Sequence, residues 1–158
     1  LGGLALTLAV VNGAIWQREA LLAHGRVAIL ELAPVDPRSL MQGDYMALRF
    51  AAGTVVMQRF AGNRNDAPPV DGYVVLVPDQ DGVAQAARIQ DAVQPQASQE
   101  IALRYRMRGG EVRIVTNAYF FPEGQADRYA TARYGEVRVG EDGTGLLVRM
   151  LGADKQPL

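Results

Sequence analysis

"LRYRMRGGEVRIV", residues 103–115, is the stretch whose reading decides the fold class. Gly109-Gly110 is suited to positive φ at both positions, the requirement of a two-residue hairpin turn. Folding about that turn sets Arg108 against Glu111, Met107 against Val112, Arg106 against Arg113 and Tyr105 against Ile114. Side chains alternate between the two faces of a strand. Leu103, Tyr105, Met107, Val112 and Ile114 therefore share a core face, while Arg104, Arg106, Arg108, Glu111 and Arg113 share the other. Four cations against one anion is unfavourable unless solvent or an acid compensates. The ordinary reading is a solvated face whose arginines splay. The sharper reading is a face for anions: an acidic partner, internal carboxylates or lipid headgroups.

Strand signals continue on both sides of the hairpin. "RVAILELAP" (26–34), "YMALRFA" (45–51), "DGYVVLVPD" (71–79), "VAQAARI" (83–89), "EIALRYRM" (100–107), "EVRIVTN" (111–117), "GEVRVG" (135–140) and "GLLVRML" (145–151) are short runs bounded by turn residues. "GTVVMQRFAG" (53–62) fits a strand or a short helix. "PEGQADRYATARYG" (122–135) reads as a helix from near Glu123 to Gly135, with Pro122 and an acid at its start. About eight short strands with one or two short helices predict a mainly β, α+β domain, an antiparallel barrel or sandwich.

The other informative segment is "LGGLALTLAVVNGAIW", residues 1–16, which carries no charge. As a helix it spans about 24 Å at about 1.5 Å per residue. A bilayer core needs about 20 apolar residues, so a few more upstream would complete a crossing. Trp16 stands at an interfacial position with Arg18 close behind. A cleaved signal peptide has a similar size, but no clear small-x-small site precedes Trp16. A core helix would show a polar stripe. The expectation is a single-pass anchor facing lipid with Leu4, Leu6, Leu8, Val10, Val11, Ile15 and Trp16. "QREALLAHG" extends the helical spacing to Gly25, so one helix over about residues 2–24 is expected, with His24 in its last turn. This divides the chain into an anchor, 1–25, and a β-rich domain, 26–158.

Composition narrows the chemistry. A chain of 158 residues, 49% hydrophobic, holds one ordinary packed domain. The formal net charge of −1 gives no bulk attraction for nucleic acid, and none is expected as a partner. There is no cysteine, one histidine (His24) and one lysine (Lys155). Thiolate and multi-histidine metal sites are excluded, an all-carboxylate site is the only metal option left, and no metal or cofactor is expected. Ser39, Asp44 and Glu123 are the acid-base or nucleophile candidates. A serine nucleophile needs a base, and neither His24 nor Lys155 is well placed to act as one. "SLMQGD" (39–44) resembles part of the TLxxGD box of type I signal peptidases, but the nucleophile position falls on Val35. Asp44 instead reads as a turn residue bonding backbone amides beside Gly43.

"GDYMALRF" (43–50) and "YFFPEGQADRYATARYGEVRV" (119–139) carry a stronger likeness. They resemble the two sequence blocks of the GDYXXLXY family. The first matches at Gly43, Asp44, Tyr45 and Leu48, with Phe50 in place of the final tyrosine. The second contributes Glu123, Gly124, Tyr134 and Gly135, and "PVDPRSLMQ" (34–42) is similar too. The resemblance implies membrane-anchored bacterial proteins with an extracytoplasmic β-rich domain, on the inner membrane, associated with multi-pass membrane proteins. It implies no reaction. The expected function is a non-catalytic accessory or assembly subunit with membrane lipid and a larger integral-membrane protein as partners. The alternative is an extracytoplasmic hydrolase using Asp44 and Glu123 as paired carboxylates, about 5–9.5 Å apart if the chemistry is glycosidase-like.

The two blocks are expected to meet. In "YMALRF", Met46, Leu48 and Phe50 should enter the core, with Tyr45 and Arg49 on the opposite face. Residues 119–135 should pack across that face, with Glu123 paired to Arg49 or to an arginine of the 104–113 hairpin.

Overall fold

The structure, a computed structural model, describes residues 2–33, 41–42, 45–61, 71–94 and 97–158. It is mainly β, with several antiparallel sheets and few helices. The strands are β1 (Arg26–Glu31), β2 (Met41–Gln42), β3 (Tyr45–Ala47), β4 (Asp71–Pro78), β5 (Ala84–Gln90), β6 (Ile101–Arg108), β7 (Glu111–Ile114), β8 (Ala118–Phe120), β9 (Tyr134–Val139) and β10 (Gly145–Leu151). The helices are α1 (Gly2–His24), α2 (Ala51–Ala61) and α3 (Ala126–Tyr129).

Among the described residues the strands form three sheets, of order β5-β4-β6-β7, β1-β9-β10 and β2-β3-β8. The β6–β7 hairpin has the register expected from its turn, Arg108↔Glu111 through Tyr105↔Ile114. Gly109 and Gly110 take φ of +59° and +79°, the left-handed values that only this residue type adopts without strain. Single bridges join the sheets: Ile29 to Val83 and Leu32 to Phe50.

All three sheets share one core. Ala28, Leu30, Met46, Val74, Leu76, Leu103, Tyr105, Val137, Val139 and Met150 are buried in it, and Val56 of α2 joins them. β9 alternates half-buried and buried along its length, as a strand with one core face must. The ambiguous segment after Phe50 is helical. It buries Ala52 and Val56 and exposes Val55 and Met57, a helical and not a period-two pattern.

The helix expected over residues 123–135 is cut to the four residues of α3. The backbone beyond it is already committed to the sheets. Leu32 N–H donates to Arg133 C=O at 2.9 Å, and Arg133 N–H donates to Leu151 C=O at 2.9 Å. Tyr134 then opens β9.

α1 runs the full 23 residues expected, about 34 Å at about 1.5 Å per residue. It closes at Gly25, whose N–H donates to Leu21 C=O at 2.8 Å. A Cβ at Gly25 would lie 2.4 Å from that carbonyl oxygen, so glycine is required there. No described residue of α1 belongs to the core. Among the described residues no helix is long and apolar enough to cross a membrane. The apolar run ends at Trp16, and Gln17, Arg18 and Glu19 follow at once, so a full-length apolar span is not present in α1 as described.

Candidate functional site

The face opposite the core on β6 and β7 is where charge concentrates. Leu103 and Tyr105 point inward and are fully buried. Alternation sends Arg104, Arg106 and Arg108 outward, and Arg113 stands directly across from Arg106. All four arginines line one open cleft of about 370 Å³. Its remaining wall comes from Val115, Thr116 and Asn117, which follow β7, and from Thr144 and Gly145 at the start of β10.

The acids near this cleft are few. Asp71, opposite Arg106 on β4, meets Arg104 Nη2 at 3.4 Å and Arg106 Nε at 3.8 Å. Glu111 is turned to Arg49, 2.8 Å away, in an exposed pair. Such a surface pair contributes about 0–1 kcal/mol. Arg108 and Arg113 have no hydrogen-bond or ion-pair partner among the described residues. Asp142 accepts the Thr144 N–H at 3.0 Å and the Thr144 hydroxyl at 2.7 Å. Those bonds hold its carboxyl below the usual carboxylate range, with a smaller contribution from the nearby Arg104 charge.

The wall is set by an unusual backbone. Val115 has φ +60°. A β-branched residue there is a genuine outlier. The turn it makes carries Thr116 and Asn117 into the cleft. The Thr116 hydroxyl donates to Ala118 C=O at 3.0 Å. Asn117 C=O accepts the Leu48 N–H at 2.8 Å. Gly145 makes room for the Val115 side chain, since a Cβ at 145 would lie 2.8 Å from Val115 Cγ2 and 2.7 Å from Leu103 Cδ1.

The motif residues lie beside this cleft as its support. Met46, Leu48 and Phe50 are buried, and Tyr45 and Arg49 lie on the other side, as expected. β3 pairs with β8, so Tyr45 stands opposite Phe120 and Ala47 opposite Ala118. The two blocks therefore meet edge to edge. The expected packing of the second block across the face of the first is replaced by strand pairing, with the Tyr45 and Phe120 rings 5.6 Å apart. Behind β8, Tyr129 packs on Phe121 at 5.1 Å and on Tyr119 at 5.3 Å. Gly135 is the second meeting point. A Cβ there would lie 3.2 Å from Phe50 Cε1 and 2.9 Å from Leu147 Cδ1. Tyr134, half-buried, pairs with Glu31 and Leu151.

The expected ion pair of Glu123 is not formed. Its side chain is exposed, with no ion pair among the described residues. Gly124, at φ +81°, turns the chain at the surface here. Arg49 takes Glu111 in its place. Ser39, Gly43 and Asp44 lie outside the described residues, as does the side chain of Leu4, so the Asp44–Glu123 pairing has no described geometry. Along α1, Leu6, Leu8, Val10, Val11, Ile15 and Trp16 are all exposed, and the His24 Nδ1 lies 3.3 Å from Ala20 C=O in the last turn. No group of three metal-ligating side chains occurs among the described residues. A second recess, about 1050 Å³, runs between the end of α1 and the β9–β10 turn, and Thr144 lines both recesses.

Sequence reasoning found the four arginines but missed Val115, Thr116, Asn117, Thr144 and Gly145. No local pattern marks these five, because the cleft forms where β10 approaches the β7–β8 connection.

A family model described as "GDYXXLXY protein" matches residues 7–150. Comparison with curated proteins and comparison with solved structures each give no match. With nearly the whole chain covered and both motif blocks joined through β3, β8 and the Phe50–Gly135 contact, the chain belongs to the GDYXXLXY family.

Proposed function

We propose that the chain is a non-catalytic, membrane-attached accessory subunit whose β-rich part lies outside the cytoplasm and docks on a larger integral-membrane protein. One observation carries the reading: the apolar side chains of α1 are uncovered. Leu6, Leu8, Val10, Val11, Ile15, Trp16 and Leu22 are 43–72% exposed. At 100° per residue they point all round the helix and form no single stripe. A helix apolar on every side belongs in an apolar surrounding. Full burial of one such side chain is worth about 1.5–3 kcal/mol. With each about half exposed, covering all seven is worth on the order of 5–10 kcal/mol. A bilayer core takes about 20 apolar residues. Attachment means these turns set into the bilayer as part of a single-pass anchor, or laid against membrane-embedded helices of the partner. Trp16 and Arg18 would lie at the headgroup level.

The test is cell fractionation followed by purification of the full chain in mild detergent. The expected result is recovery with membranes and co-purification of one integral-membrane protein in fixed ratio. A full chain that is monodisperse in detergent-free buffer and purifies alone would overturn the proposal.

A further inference from the structure

We infer that the arginine cleft between β6, β7 and the start of β10 binds a phosphomonoester dianion. Arg106 and Arg113 are held face to face by strand register, with Arg104 and Arg108 on the same side. Like charges directly opposite are destabilising in a sheet. The described acids relieve this only in part, through Asp71 beside Arg104 and Arg106. Asp71 reaches Arg104 and Arg106 at 3.4 and 3.8 Å, longer than a good hydrogen bond, and Arg108 and Arg113 are unpartnered among the described residues.

A second observation falls on the same cleft. Val115, a β-branched residue at φ +60°, is strained, and such strain persists where the surroundings over-determine it and clusters at binding sites. Its turn delivers Thr116 and Asn117 to the cleft wall, and the space left by Gly145 accommodates it. The backbone bond from Leu48 to Asn117 and the pairing of β3 with β8 brace this loop, which gives the family motif strand a role in the site.

The ligand class follows from charge and size. A phosphomonoester carries about −1.5 to −2 charges on three acceptor oxygens, enough to engage several guanidiniums at once. A single carboxylate would neutralise one. The cleft, about 370 Å³, lies within the range of small-ligand sites and exceeds a bare phosphate, leaving room for an organic substituent beside Val115 and Gly145. The ester has two natural sources, a soluble metabolite or a lipid headgroup. Thr144 links the cleft to the recess along α1, the side from which a headgroup would come. The inference stands on the cleft and does not depend on how α1 is covered.

The test is titration calorimetry on the full chain in neutral detergent with inorganic phosphate and glycerol 3-phosphate. A parallel arm measures binding to bilayers of phosphatidylcholine with and without phosphatidic acid, and a third titrates a glutamate-rich peptide. The expected result is saturable binding of a phosphate probe that weakens with added salt. An Arg108→Gln/Arg113→Gln double variant should lose at least tenfold in affinity, and Arg59→Gln, on α2, should lose none. Without ligand the double variant should melt at the same or a higher temperature, since it removes repulsion and no described partner. Binding of glycerol 3-phosphate in solution supports a soluble ester, and binding confined to phosphatidic acid bilayers supports a headgroup. Absence of saturable binding by every phosphate probe, affinity unchanged in the double variant, or tighter binding of the acidic peptide than of any phosphate probe would each overturn the inference.

Discussion

Tyr105 shows how one residue serves the core at a cost. Its side chain is fully buried, and its hydroxyl has no hydrogen-bond partner among the described residues. Burial pushes the phenol's pKa up, with the charges of Asp91 and Asp71 adding to the shift. A buried polar group left unsatisfied costs about 1–3 kcal/mol. Tyr105→Phe removes that group and keeps the ring. The variant is therefore expected to match or exceed the parent in stability, by up to about 2 kcal/mol in urea unfolding. Gly72 tells the opposite story. A Cβ there would lie 2.5 Å from the Tyr105 hydroxyl oxygen and 2.7 Å from Cζ. Gly72→Ala should lose about 1–3 kcal/mol by overpacking. Tyr105→Phe should rescue only part of that loss, because the ring carbons remain too close. Full rescue would mean that the hydroxyl alone sets the spacing between β4 and β6. The hairpin reading places Tyr105 on the core face, but its approach to Gly72 is hidden in the sequence, since the contact joins positions 33 apart. Gly135 against Phe50 is hidden for the same reason, though both were legible as motif positions.

Among the elements, the β6–β7 hairpin was fully legible because a two-residue turn and a single apolar face leave one register. The eight runs read as strands all contain strands, and the ambiguous run after Phe50 became helix because its buried residues recur at helical spacing. β8 was not legible: three residues pair with a strand over 70 positions earlier, with no turn signal between. α3 was over-read because capping and composition could not reveal that the Arg133 backbone bonds to β1 and β10 flanks. The β5–β6 connection adds an ionic clamp that spacing did not mark. Glu100 accepts from Arg88, with Nη2 at 2.8 Å, and from the Ala97 N–H at 2.8 Å. Arg26 donates to the backbone carbonyls of Ser98 and Glu100, tying β1 to the same corner. The Arg88 bond foremost, then the Ala97 N–H, hold the Glu100 pKa down to about 2. A carboxylate whose folded pKa lies below its unfolded value of about 4.3 stabilises the fold above that pH. The contribution fades as pH falls toward about 2. Melting temperatures of the parent and Glu100→Gln, measured against pH, should therefore differ above about pH 4.5 and converge toward pH 2. Parallel curves across that range would show that the clamp contributes nothing in solution.

At the scale of the whole molecule, the chain combines a β-rich body that buries its own core with a helix that buries almost nothing. Among the described residues, α1 bonds to the body near its end. Arg138 donates to Gly25 C=O at 3.1 Å, and a Cβ on Gly140 would lie 3.2 Å from Leu21 Cδ1. No described α1 residue enters the core. Folding of the body and the attachment proposed for α1 should thus be separable by mutation. Replacing Leu8 and Val11 with glutamate places two charges among side chains that are 53% and 49% exposed. Neither position touches the core, so the melting temperature of the β-rich body should stay within about 1–2 °C of the parent, in line with the small effects of surface substitutions. The same pair of charges is costly in an apolar surrounding, about 2.5–3.5 kcal/mol for each acidic group at the centre of a membrane helix. Partition of the full chain into the membrane fraction should fall steeply while its fold is kept. Unchanged partition would place the attachment in the body instead, and the cation-rich face around Arg108 and Arg113 would be the first surface to examine. A large drop in melting temperature would show that α1 is held by the body more tightly than its exposure implies.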